Sequence, residues 1–225
     1  MKPTGKLFAA VTLLLVSGGW VLADEKFERA SICFEQNATD DDAEVVIEAN
    51  GGDVGLATIN VVSPDGRTII NFKASNSKLG IRHFAFESPE PKNDGSVQAD
   101  FPEGEYTFTG TTVTGVKLHG KAALSHKLPE VATVIQPAAD AEDVPIKGLE
   151  ITWRPGKNPV AYIVAIEQEE SGHEVTARLP GNVTRFAVPD GFLAAGTEYK
   201  IAIGTVTAGG NSSFVETTFS TAKKE

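Results

Sequence analysis

Cysteine is almost missing from this sequence. Cys33 alone occurs in 225 residues, so no internal disulfide can form. Stability must come from buried apolar side chains, and a 41% hydrophobic fraction in a chain of this length supplies enough of them. After residue 23 there is no long apolar stretch with a 3.6-residue period, which argues against an α/β fold with crossover helices. A glycine-rich phosphate loop and a dinucleotide fingerprint are also lacking. Positive charge is short: 20 Lys and Arg face 30 Asp and Glu, a formal net charge of −10. Such a surface repels phosphate backbones and anionic lipid, so nucleic acid is excluded as a partner, while basic partners and divalent cations remain open.

The one long apolar run is N-terminal. Lys2 and Lys6 precede residues 7–16 (LFAAVTLLLV), followed by Ser17, Gly18 and Gly19, then Val21, Leu22 and Ala23 before Asp24. A positive start, an apolar middle and a small residue at the end predict a signal peptide over residues 1–23, cleaved before Asp24. The alternative is a retained anchor, although the run falls short of the ~20 residues of a membrane span. Cleavage removes two lysines and takes the charge from −10 to −12. A secreted or periplasmic chain with no membrane span after cleavage is expected.

The remainder is divided into short alternating segments rich in β-branched and aromatic residues. Residues 44–48, 56–62, 68–72, 81–86, 105–109 and 113–118 read as strands. Pro64-Asp65-Gly66 and Asn50-Gly51-Gly52-Asp53 supply turns between them. The fold class is all-β: two tandem β-sandwich domains after a signal peptide, at residues 24–128 and 129–222. Cys33 is expected to be a buried thiol within a strand, since no histidine lies near it in sequence to activate a nucleophile; an intermolecular disulfide is the alternative.

In the second half, Leu149 to Trp153, Ala161 to Ile166, and Leu193-Ala194-Ala195-Gly196-Thr197-Glu198-Tyr199 followed by an alternating strand stand in a recognisable order. From Gln136 almost to the C-terminus the chain resembles a fibronectin type III domain. The resemblance implies Trp153 in the core, Tyr162 at the aromatic position of the third strand and Tyr199 at the corner. The Arg-Gly-Asp triplet of that family is absent; Asp65-Gly66-Arg67 reads as a turn. In the first half, Pro102-Glu103-Gly104-Glu105-Tyr106 resembles the Pro-x-Gly-x-Tyr turn of carboxypeptidase-regulatory-like, prealbumin-type sandwiches, which implies an inward tyrosine. An immunoglobulin-like sandwich fits the strand count equally well.

Candidate chemistry is sparse. His83, His119 and His126 are the histidines considered for a metal, at spacings that match no standard zinc pattern. Within residues 39–44, calcium held by Asp40, Asp42 and a loop carbonyl competes with the plainer reading of a solvated loop. No catalytic residues and no cofactor are assigned, because neither a nucleophile elbow nor a local base pairing occurs. The sequons at Asn37, Asn182 and Asn211 would mark surface loops. The leading expectation is an exported non-catalytic binding or structural module that engages another envelope or extracellular protein. The alternatives are a polysaccharide-binding or accessory module of a hydrolase system, and a small secreted metal-binding protein. Sugar binding wants exposed aromatic platforms, and Trp153, the only tryptophan after Trp20, is committed to the core.

Overall fold

The computed structural model describes residues 25–76, 78–91 and 94–223. The leader expected over residues 1–23, with Lys2 and Lys6, lies outside the described residues. No helix among them is long and apolar enough to cross a membrane.

The first half runs β1 (Glu25–Lys26), β2 (Arg29–Asn37), β3 (Asp42–Asn50), β4 (Leu56–Val62), β5 (Thr68–Lys73), β6 (His83–Glu87), α1 (Asp94–Asp100), β7 (Gly104–Thr112) and β8 (Lys117–Leu124). The second half runs β9 (Thr133–Gln136), β10 (Ala141–Val144), β11 (Glu150–Arg154), β12 (Ala161–Gln168), β13 (His173–Pro180), β14 (Arg185–Ala187), β15 (Glu198–Val206) and β16 (Ser212–Thr221). Period-2 alternation places the apolar residues. Ala43, Val45, Ile47 and Ala49 of β3 turn inward, as do Ile32 and Phe34 of β2 and Tyr106 and Phe108 of β7. In β4 the buried set changes parity from Leu56 to Ile59 and Val61, because a bulge shifts the register between Leu56 and Thr58. These residues form one core; a second gathers Ile151, Trp153, Tyr162, Val164, Ile166, Tyr199, Ile201, Ile203 and Phe219.

The second core lies between a three-stranded sheet, β14-β11-β9, and the strands β13-β12-β15-β16. Trp153 is 2% exposed, with its ring 5.3 Å from that of Tyr162 at 66°. Tyr199 stacks on Phe219, and its hydroxyl accepts a 2.8 Å bond from the Ala194 amide five residues upstream. This is the corner that the fibronectin type III resemblance implies. Tyr199→Phe removes the partner of the Ala194 N–H in this part-buried bond, and a loss of about 1 kcal/mol is expected in urea melts. In the first half Tyr106 also turns inward, and its hydroxyl donates to the Pro102 carbonyl at 3.1 Å. Gly104 between them has φ 135°, and a Cβ there would sit 2.8 Å from Pro64 Cγ. Only glycine fits that turn.

The two sandwiches share a sheet. β16 pairs with β2 in parallel through Ser212 with Glu35, Ser213 with Gln36 and Phe214 with Asn37. The result is one eight-stranded sheet whose main path is β13-β12-β15-β16-β2-β3-β6, with β10 beside β16. Paired residues share a face, so Gln36 and Phe34 lie on the side of Ser213, Val215 and Phe219. Both cores therefore cover the same face of this sheet; its other face is more open, although Glu44, Ala161, Val206 and Ser212 on it are buried.

Three sequence expectations are corrected. Residues 113–116 are a turn rather than strand: the Thr112 hydroxyl accepts from the Val116 amide at 3.1 Å, and the strand begins at Lys117. Asn211 is no surface residue; it is 4% exposed and fully hydrogen-bonded at the junction. Cys33 is half-buried rather than buried, because Ile32 and Phe34 take the inward positions of β2 and leave Cys33 on the outer face. The helix α1 is too short for a periodic signal in the sequence; Val97, 4% exposed, pins its seven residues to the first core.

Candidate functional site

The outer face of the shared sheet carries a cleft of about 400 Å³ where the two sandwiches meet. Alternation explains its lining. Glu35 and Asn37 are outward residues of β2, and Asp42 and Glu44 are outward residues of β3. Ala165 and Glu167 point the same way from β12, Lys200 and Ala202 from β15, Phe214 and Glu216 from β16. Asp40 from the β2–β3 turn, Ala43 at the start of β3 and Glu90 from the segment after β6 complete it. Ala165, Ala202 and Phe214 make an apolar floor. The Phe214 ring lies across Gly204, where a Cβ would approach Phe214 Cε1 to 2.5 Å, so glycine there lets the ring lie flat.

The walls are carboxylates. Glu44 and Glu35 are directly paired across β2 and β3. Glu44 is only 8% exposed, and its Oε2 has no hydrogen-bond partner among the described residues. Burial, then the charges of Glu35, Glu90, Glu87 and Asp42, push its pKa up to about 7. Burial also raises Glu35, although the Ser212 hydroxyl donates to it at 2.6 Å and works the other way. Lys200 is the one basic residue of the lining, with Nζ 3.5 Å from Glu169 and 3.8 Å from Glu216. Burial alone would depress its ammonium, but Glu216, Glu169 and Glu167 outweigh it and hold the pKa above the usual lysine value.

The seam is held by polar groups. Asn211 Oδ1 accepts from the Phe34 amide at 3.0 Å, and Nδ2 donates to the carbonyls of Ser125 at 2.6 Å and Lys127 at 3.1 Å. The Ala38 amide donates to the Phe214 carbonyl at 2.9 Å, and the Glu216 amide to Thr39 Oγ1 at 2.7 Å. The cleft is thus built on a braced junction rather than on a loop.

The three histidines considered from sequence are dispersed. His83 points outward from β6, its Nε2 3.4 Å from Glu48. His119 points to solvent from β8, on the opposite sheet of the first sandwich. His126 packs its ring 5.3 Å from that of Phe34, with Nε2 bonded to the Phe101 carbonyl at 2.8 Å. Asp40 and Asp42 do reach the same cleft, but Asp40 Oδ2 accepts from Asn37 Nδ2 at 2.9 Å. Among the described residues no group of three His, Cys, Asp or Glu is arranged to hold a metal ion. Trp153 is sealed in its core and offers no sugar platform. The residues missed from sequence are Glu35, Glu44, Glu90, Glu167, Lys200, Phe214 and Glu216. Strand alternation signals the outward face of each, but nothing local says which strands are neighbours.

Burial, followed by the charges of Glu35 and Glu48, pushes the Cys33 thiol to about 11. At pH 8, alkylation of the folded chain is expected to run roughly 100-fold slower than that of the urea-unfolded chain, because the reactive thiolate is that much rarer. Iodoacetamide labelling followed by mass spectrometry measures this directly.

No family model and no curated protein matches the chain. Among solved structures it is similar to the fibronectin type III domain of human collagen α1(XX), at 23% identity over 43% of this chain and 86% of that one, TM-score 0.32. The two-domain fibronectin type III segment of chicken tenascin is 13% identical over 88% of this chain and 100% of that one, TM-score 0.33. The fibronectin(III)-like modules of Clostridium thermocellum CbhA are 9% identical over 90% and 92%, TM-score 0.34.

Proposed function

We propose that this chain is an exported, non-catalytic binding module that engages another protein of the envelope or extracellular space. The observation that carries this reading is the shared sheet: two sandwiches joined edge to edge present one solvent face with a cleft at the seam. A continuous sheet spanning both cores is a stiff platform, and preorganisation lowers the ordering cost of association. The acidic lining favours a basic partner surface through complementary charge. The leader-like N-terminal sequence supports action outside the cytoplasm.

The test is affinity capture from the native extracytoplasmic fraction, with the chain beginning at Asp24 as bait and mass spectrometry of what is retained. One dominant protein, lost when the cleft is altered by Glu216→Lys, is the expected result. Retention of polysaccharide alone, or of no protein at physiological salt, would overturn the reading.

A further inference from the structure

The cleft asks for a particular chemistry. Glu44 combines near-complete burial with an oxygen that no described residue satisfies. An ionised carboxylate left without a donor in such a place is costly, and a donor carrying positive charge is what removes that cost. No Lys or Arg among the described residues forms an ion pair with Glu44 or with Glu35 beside it; Lys200 is held on the far wall by Glu169 and Glu216. Seven carboxylates line the cleft against that single ammonium.

Beneath the carboxylates the floor is apolar, made of Ala165, Ala202 and the Phe214 ring. A surface that is apolar below and anionic at one end matches a side chain with a methylene stem and a cationic head. An aromatic ring at the floor adds a further attraction for such a head. A bare divalent cation fits less well, because it wants six or more converging oxygens and no converging group of three occurs among the described residues. At about 400 Å³ the cleft has room for one or two side chains, not for a folded element.

We propose that this cleft binds a lysine or arginine side chain of the partner protein, with the stem on the Phe214 ring and the cationic head between Glu35 and Glu44. The inference rests on the binding-module reading above and names the chemistry of its contact. Lys200 sets the affinity by competing for the same carboxylate field.

The experiment is a nuclear magnetic resonance titration of the 15N-labelled chain from Asp24 with the blocked tripeptides Gly-Lys-Gly and Gly-Arg-Gly at low salt. Blocked Gly-norleucine-Gly, which keeps a stem and lacks the charge, is the control. Saturable shifts centred on Glu35, Glu44 and Phe214 are expected, at least tenfold weaker for norleucine. Glu44→Gln and Glu35→Gln should each weaken the cationic peptides about tenfold, and Lys200→Met should tighten them several-fold. Unchanged spectra elsewhere in each variant establish that it is folded.

Equal affinity for wild type and Glu44→Gln would overturn the proposal. So would unsaturable shifts spread over the acidic surface, or calcium chloride alone occupying these residues while the peptides do not. If a captured partner is retained equally by wild type and Glu44→Gln, the binding-module reading stands and this inference falls. If the peptides bind as described but no partner is captured, the cleft chemistry stands and the module reading falls.

Discussion

Asn211→Ala is expected to lower the unfolding free energy by about 3 kcal/mol and to turn one unfolding transition into two. The side chain does three jobs at one buried point. It accepts from the Phe34 amide on β2 and donates to the Ser125 and Lys127 carbonyls at the end of the first sandwich, while Asn211 itself belongs to the last hairpin of the second. Alanine removes all three bonds, leaving the Phe34 amide without a partner in a buried place and the Ser125 and Lys127 carbonyls without theirs in a part-buried one. Asn211→Asp is the sharper variant. It can still accept from Phe34, but it cannot donate, and it turns a negative oxygen toward two carbonyls. A loss at least as large as that of alanine is expected. Calorimetry and urea melts followed by tryptophan fluorescence report the coupling, because Trp153 sits only in the second core. A single transition displaced by less than about 1 kcal/mol would show that the seam is not held by Asn211.

Glu44 should make the fold more stable at pH 5 than at pH 8, the reverse of the usual carboxylate effect. Its folded pKa lies near 7, above the 4.5 expected for an unfolded chain. Between those values the folded state holds a proton that the unfolded state has released, so stability falls as pH rises through the window. Above pH 7 the folded chain must carry an ionised Glu44 facing Glu35 on β2, Asp42 on its own strand, Glu87 on β6 and Glu90 beyond it. A cleft open on one side screens part of this, and a contribution of about 2 kcal/mol is the expected size. Glu44→Gln removes the charge while nearly preserving shape. It should leave stability near wild type at pH 5 and raise it by that amount at pH 8. Other carboxylates also titrate, so the wild-type minus variant difference across pH is the quantity that isolates Glu44. A difference that stays flat from pH 5 to 8 would place its pKa near the ordinary value.

Strand character, the turn at Pro64-Asp65-Gly66, the inward Tyr106 and Tyr199, and the buried Trp153 were legible in the sequence because each is a local rule. Alternation puts every second residue on one face, and a tyrosine with a polar tip finds a nearby carbonyl or amide. Short exceptions escaped for equally local reasons. The turn over residues 113–116 carries β-branched residues and reads as strand until the Thr112 hydroxyl closes it. The helix α1 is too short to display a period.

The site was not legible. Asp40 and Asp42 are neighbours in sequence, yet the groups that matter beside them come from strands far apart in the chain. Ser212 meets Glu35 across 177 residues, and no composition or spacing announces that pairing. The alternation of β2 says that Glu35 faces away from Phe34; it cannot say that β16 lies alongside. The same holds for Asn211, whose sequon reads as surface because its three partners are supplied by another part of the fold. The sequence alone determined the all-β class, the inward and outward faces of most strands, the acidic charge and the resemblance of the second half. The tertiary structure alone decided that two sandwiches share a sheet, that Glu44 is desolvated beside Glu35, and that the histidines stay apart. Local preferences act over a few residues, whereas desolvation and charge coupling depend on which distant strands become neighbours.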